Sequence, residues 1–390
     1  MKKTIKDFEL KGKRVIIRLD LNVPIKDGVI EDDTRIKASV RTIKYAVSNG
    51  AKVILLSHLG KVKTEDDKAS NSLYPVSVRL SECLGRNVLF SYDTCSDKLT
   101  EMVSKLEEGE VLLIENTRFE DLNNKSESGC DLELSRYWAS LGDIFINDAY
   151  GACHRSHASV VGIPKFLPSG IGFLVEKEIK KIDAVLDSDT HPFVVILGGK
   201  KVDDKITLIE RLLEQCDKLL VGGAMSFTFL KAMGYNVGKS IVSDEHIDFC
   251  NRMLDKYRNK IVLPVDFVLE NEVKRIEEFT DNDIGYDIGN KSIKLFEDEL
   301  IGAKRVIING PMGMFEDPKY SNGTEKIFKI LDKNKIKTIV GGGDTASSVN
   351  KLGYDDSFYH ISTGGGATMK YLEDRTLVGI EVIEDGKKEN

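Results

Sequence analysis

The chain is short of the signals that mark secreted, membrane-spanning and metal-cluster proteins. Its six cysteines, Cys83, Cys95, Cys130, Cys153, Cys216 and Cys250, make no CxxC pair and no metal spacing with histidine. That excludes zinc ribbons and CxxC redox sites and reads as ordinary thiols of a reducing compartment. No apolar run approaches the roughly 18 residues of a membrane span, and the start MKKTIKDFELKGKRV lacks the apolar stretch of a signal peptide. The expectation is a cytoplasmic protein, in which the N-x-S sequons at Asn124 and Asn290 carry no glycosylation meaning. GxSxG and HExxH are absent, and no GxGxxG follows a strand-like run, which counts against a nucleophile-elbow hydrolase, a zinc protease and a dinucleotide fold. Positive charge is short too: 56 Lys and Arg against 63 Asp and Glu leave a net charge of −7. Such a chain is a poor general binder of nucleic acid or anionic membrane, so any polyanion it handles must meet locally gathered cations.

What is present is ample apolar material. With 390 residues, 41% hydrophobic and 31% charged, the chain is globular and long enough for two domains. Short Val, Ile and Leu runs recur without polar alternation, the pattern of parallel strands buried on both faces. They are RVIIRLDLNV, AKVILLSH, EVLLIEN and DIFINDA, then PFVVILGG, KLLVGGA, IVLPVDFV, RVIING, KTIVGGGDT and FYHISTGGG. Helical periodicity lies between them, at Arg35–Ser48, Leu132–Leu141, Ile206–Cys216 and Asp244–Tyr257. The expected fold is α/β, with two lobes that are each an open, mostly parallel sheet with helices on both faces. From about Gly151 to Pro192 no strand is evident, but FLVEKEIKKIDAVLD has a helical pattern from Phe173. That places a helical hinge there, with domains at 1–170 and 171–371.

In open parallel sheets ligands bind beyond the carboxyl ends of the strands, where loops lead into helix N-termini. Here the first-half strands end in Asp20 and Asn22, Ser57 and His58, Glu115, Asn116 and Arg118, and Asn147 and Asp148. The second-half strands end in Gly198-Gly199, Gly222-Gly223, Gly310, Gly341 to Gly343 and Gly364 to Gly366. One half suits a small polar anion; the other suits a phosphate-bearing ligand approached by backbone. GGKKVDDK puts Lys201 and Lys205 one turn apart, either over a phosphate or on a solvated face. Asp344 in GGGDTAS serves either as a Mg²⁺ acid or as an N-cap. Glu316, closing NGPMGMFE, suits ribose hydroxyls. GYNVGKS at Gly234 to Ser240 has three residues between its glycines where a P-loop needs four, and no strand precedes it. Arg35, His58, Lys61, Arg118, His154 and Arg155 gather on the first half, and several cations at strand ends call for an anionic partner.

Taken in order, RLDLNVP, SHLGK, ENTRFE, NDAYGACHRSHAS, GGKKVDDK, NGPMGMFE, GGGDTAS and STGGGATMKYLE resemble the phosphoglycerate kinase family over almost the whole chain. The resemblance implies a monomer that reversibly transfers the acyl phosphate of 1,3-bisphosphoglycerate to Mg-ADP, giving 3-phosphoglycerate and ATP in glycolysis. It implies that lobe 1–170 binds the glycerate, lobe 171–371 binds the nucleotide, and 372–390 return to the first lobe. Carried over by motif, Asp20, Asn22, Arg35, His58, Lys61, Arg118 and Arg155 bind the phosphoglycerate. Arg35, Lys201 and Lys205 meet the moving phosphoryl group. Lys201, Lys205, Gly222, Gly223, Asn309, Glu316, Gly342, Gly343, Asp344 and Thr345 bind nucleotide, with Asp344 linked to Mg²⁺. Departures from the family pattern are Lys61 in place of an arginine, Lys200 in place of a small residue, Ile308 in place of a tryptophan, and Asn290 in DIGN. The alternatives are a nucleotide-binding sensor without catalysis, against which the intact anion-site residues count, and a nicotinamide oxidoreductase, which lacks its glycine fingerprint.

Overall fold

The computed structural model describes residues 2–200 and 202–386, so Lys201 lies outside the described residues. The chain divides into two compact units, Met1–Lys180 with Thr376–Asn390, and Lys181–Arg375.

The first unit is built on strands β1 (Arg14–Leu19), β4 (Lys52–Leu56), β5 (Leu89–Ser91), β6 (Val111–Ile114), β7 (Ile144–Asp148) and β8 (Ser169–Ile171), while β2 (Ile25–Lys26) and β3 (Val29–Ile30) form a hairpin. The six-stranded sheet has the order β5-β6-β4-β1-β7-β8, every pair parallel. Its central strands are buried on both faces, as unbroken aliphatic runs require. The helix Thr34–Ser48 buries Ile36, Ser39, Ile43 and Ala46, a stripe at helical spacing, and so carries Arg35 in its first turn. β5 and β8 are three-residue strands that the aliphatic pattern does not reveal.

The second unit repeats the plan with β9 (Phe193–Leu197), β10 (Lys218–Val221), β11 (Ile261–Val262), β15 (Arg305–Asn309), β16 (Lys337–Gly341) and β17 (His360–Ile361). The order is β11-β10-β9-β15-β16-β17, again all parallel. The run IVLPVDFV is not one strand. Pro264 has no N–H for a ladder, and beyond it β12 (Asp266–Val268) joins β13 (Val273–Arg275) and β14 (Asp287–Ile288) in a small antiparallel sheet.

The division between units falls inside the helix Phe173–Leu186, later than the expected 170. The first turn of that helix is tied to the first unit, since Phe173 is buried in its core with an edge-on contact to Tyr45. The return to the first unit begins at Thr376 and not at 372, because the helix Gly366–Asp374 stays with the second unit, where the Tyr371 hydroxyl donates to Asp183 at 2.9 Å. After it, Gly379 N–H donates to Cys153 O at 2.8 Å and Asn147 Nδ2 to Gly379 O at 2.9 Å. Among the described residues no helix is long and apolar enough to cross a membrane, and the six cysteines are unpaired.

Candidate functional site

In the first unit the ends of β1, β4 and β6 converge on one cation-rich surface. Arg35 Nη1 donates to both Asp20 oxygens at 2.9 Å. Asn22 Oδ1 accepts the Gly60 N–H at 2.8 Å, while the Asn22 N–H reaches Asp20 Oδ1 at 3.3 Å. Arg118 donates to the Gly60 carbonyl and, through its backbone, to Asn116 Oδ1 at 3.1 Å. Arg155 Nε donates to His154 Nε2 at 3.3 Å. Six predicted residues, Asp20, Asn22, Arg35, His58, Arg118 and Arg155, therefore belong to one cluster. Lys61 is exposed and joins none of these hydrogen bonds.

Electrostatics make this cluster a candidate anion site. Burial, with Arg18, Arg118, Arg155 and His157 nearby, pushes the His58 pKa well below its ordinary value. Burial followed by Arg155 lowers Arg118, and burial followed by Arg155 and His157 lowers His154. Crowded cations that depress one another and the neighbouring imidazoles are relieved by an incoming anion. Cys153 is buried and its thiol is pushed up, so it is no thiolate nucleophile.

Four residues beneath the cluster escaped the sequence reading. Arg18, Glu127 and Ser159 are fully buried and hydrogen-bonded in series, with His157 beside Glu127 at 3.7 Å. Arg18, His157 and Ser159 stand within motifs already quoted; Glu127 has no local signal.

In the second unit the strand ends meet through glycine. A Cβ on Gly310, at φ +98°, would lie 2.2 Å from Gly198 O, and one on Gly223, at φ +62°, 2.5 Å from Gly199 N. Part of the glycine richness is thus close backbone packing. Gly222 and Gly223 donate their N–H groups to Leu197 O at 2.7 Å and Met312 O at 3.0 Å, so they shape the floor and do not offer N–H donors to a phosphate. Thr345 is buried and its Oγ1 accepts the Gly310 N–H at 2.6 Å, which makes it a brace for the loop.

The donors left for a phosphate sit at the helix Gly343–Leu352, whose N-cap is Gly342 at φ +90°. A Cβ on Gly365 would stand 3.7 Å from the Gly343 nitrogen, so the two triple-glycine loops adjoin. Asn309 Nδ2 is buried there without a hydrogen-bond partner among the described residues, 2.9 Å from where a Gly342 Cβ would be. Asp344 is exposed in the first turn and is not the cap, which removes the N-cap reading. One exposed carboxylate beside phosphate donors suits Mg²⁺, which is usually held by one or two carboxylates plus phosphates and water. Lys205 is buried, its Nζ 3.4 Å from a Gly199 Cβ.

Beside these loops lies a cavity of about 430 Å³ lined by Phe227, Phe267, Pro311, Met312 and Phe315, with Glu316 and Asp344 also on its wall. An apolar slot with few polar groups fits an aromatic base. Asp287, also lining it, is lifted to about 7 by burial, partly offset by N–H groups of Gly323 and Ile288. GYNVGKS holds no phosphate loop: Lys239 N–H donates to Asp283 O at 2.8 Å, and a Gly238 Cβ would fall 2.3 Å from that oxygen.

A family model described as phosphoglycerate kinase matches residues 5–375. A phosphoglycerate kinase of Enterococcus faecalis is 50% identical, covering 98% of this chain and 99% of its own length. One of Fusobacterium nucleatum is 50% identical, with 99% and 100% covered. Among solved structures, phosphoglycerate kinase from Coxiella burnetii superposes with a TM-score of 0.86 at 34% identity over 98% of each chain. The enzyme from Pyrococcus horikoshii gives 0.84 at 31% identity, also over 98% of each.

Proposed function

The chain belongs to the phosphoglycerate kinase family, and from that premise we infer how its two units divide the work of reversible phosphoryl transfer between 1,3-bisphosphoglycerate and ADP. The first unit, through Asp20, Asn22, Arg35, His58, Arg118 and Arg155, holds the glycerate and its non-transferred phosphate. The second, through Asn309, Glu316, Gly342, Gly343 and Asp344, holds the nucleotide. The observation that supports this assignment best is the contrast between crowded guanidiniums around a buried, neutral His58 in one unit and a glycine-rimmed apolar cavity in the other. Asp344 would hold Mg²⁺, which supplies charge neutralisation on the nucleotide phosphates.

An acyl phosphate is already activated, and the attacking oxygen of ADP is already ionised. No general base is needed. The chain's task is to align two anions and to neutralise the charge spread over the moving group. Arg35 meets that group from the first unit, with Lys201 and Lys205 meeting it from the second. Because they belong to different units, turnover calls for the units to close around both substrates. The reading extends to a cytoplasmic protein acting on small molecules, on neither nucleic acid nor membrane, supported by the net charge of −7 and the unpaired thiols, and to a monomer, which only the family resemblance implies.

A coupled assay following ATP consumption that depends on 3-phosphoglycerate tests the reading directly. Turnover is expected with 3-phosphoglycerate and Mg-ATP together. Nucleotide binding without turnover would instead favour a sensor.

A further inference from the structure

The reaction as derived uses His58 but leaves unexplained a carboxylate buried behind it. Glu127 is 0% exposed. Its Oε2 accepts the Ser159 N–H at 2.9 Å and its Oε1 accepts the Ser159 hydroxyl. That hydroxyl oxygen accepts in turn from Arg18 Nε at 2.8 Å. Arg18, equally buried, places Nη2 3.2 Å from His58 Nδ1. A guanidinium only donates, so His58 Nδ1 is the acceptor and carries no proton. The ring's one proton is then on Nε2, leaving Nε2–H as its only donor.

We propose that Glu127 is a positioning residue for the phosphoglycerate site: through Ser159 and Arg18 it fixes the His58 tautomer whose Nε2–H donates to the bound anion. The proposal deepens the reading of the anion site and rests on it. The charge arrangement agrees. Burial lowers the Arg18 pKa, opposed by Glu127 and Asp20. Burial alone would raise Glu127, but the contact with His157, the Arg18 charge and the Ser159 hydroxyl outweigh it and hold the carboxyl below its usual range. A buried cation needs such a counter-charge. The opposite tautomer would aim Nδ1–H at a guanidinium and Nε2's lone pair at the anion, unfavourable at both ends.

Histidine-selective ¹⁵N labelling of the full chain, with its six histidines, reads the tautomer directly once His58→Gln has assigned the resonance. The groups facing His58 are Arg18, Arg118, Arg155 and His157. The parent should show an unprotonated Nδ1 and a protonated Nε2 between about pH 5.5 and 8. Glu127→Gln, of equal volume but without charge, should move both nitrogens toward a tautomer average. It should also weaken calorimetric 3-phosphoglycerate binding about tenfold, one charge-assisted contact, and leave nucleotide affinity unchanged. Ser159→Ala cuts the link while keeping the Glu127 charge and should do the same; if Glu127→Gln does not fold, it decides alone. Lowered thermal stability with either the His58 nitrogens or the 3-phosphoglycerate affinity unmoved overturns the proposal. A parent that does not bind 3-phosphoglycerate fails the functional reading instead, which is told apart because the tautomer is read without ligand.

Discussion

In the proposed anion site Arg35 and Arg118 are held differently, and that difference separates their expected effects. The Arg118 guanidinium donates to the Gly60 carbonyl and its backbone N–H to Asn116 Oδ1, which suits a fixed donor for the proposed non-transferred phosphate. Among the described residues Arg35 is held by Asp20 alone, and its side chain is 37% exposed, so it can leave that carboxylate for a group in transit. Arg35→Ala should lower kcat by about 100-fold or more with little change in KM. Arg118→Ala should raise KM for 3-phosphoglycerate about 10- to 100-fold, the worth of one or two charge-assisted hydrogen bonds. Steady-state kinetics in both substrates check this, and equal kcat losses would contradict it. In the second unit, Gly310→Ala forces a methyl into Gly198 O at positive φ and should cost about 2–4 kcal/mol. Gly353→Ala, at φ +76° with nothing within 4 Å, should cost only about 1 kcal/mol; urea melts of the two variants test the contrast. Strand-end cations and glycines are visible in the sequence because each adjoins an aliphatic run. Glu127 is not, since its partners Ser159 and Arg18 are joined to it only by the fold, across 32 and then 141 residues.

At the level of elements, the central parallel strands announce themselves because burial on both faces demands continuous Val, Ile and Leu. The edge strands β5 and β8, of three residues each, and the antiparallel β13 and β14 do not, being too short to carry a period, while β12 is hidden at the end of the run IVLPVDFV. Another long-range device is the capping of the helix Phe173–Leu186 by groups from other elements. Asp148 Oδ1, at the end of β7, accepts the N–H groups of Leu174 at 2.8 Å and Val175 at 3.2 Å, while Thr42 Oγ1 takes that of Phe173 at 3.1 Å. Those donors have no partner within the helix. Burial nevertheless lifts the Asp148 carboxyl to about 6, against the lowering by Thr42, Val175 and Leu174. With an unfolded value near 3.9, the folded chain holds this proton more tightly. The resulting stabilisation is full below about pH 4 and lost as pH rises through about 6, on the order of 2–3 kcal/mol. Asp148→Asn keeps an accepting oxygen and removes the titration. Thermal melts should show it gaining on the parent from pH 4 to 6, with no deficit at pH 7; a deficit that grows as pH rises from 4 to 6 would show the cap charge to be favourable.

For the whole molecule, the chemistry sets a requirement that neither unit meets alone. Arg35 belongs to the unit Met1–Lys180, and Lys205 to the unit Lys181–Arg375. A phosphoryl group in flight spreads negative charge over three oxygens, and cations several ångströms away in water offset little of it. Under the proposed function, closing both units around the substrates would expel that water and strengthen each contact. Each substrate should favour closure only through contacts made in the closed state, and one anion alone leaves the other unit's cations facing no counter-charge. Small-angle scattering should therefore show a smaller radius of gyration with 3-phosphoglycerate and Mg-ADP together than with either alone. In Arg35→Ala the ligand-induced contraction should be reduced while each ligand still binds. An identical radius in all four ligand states would remove closure from the cycle, and with it the reason to draw the reacting cations from two separately folded units.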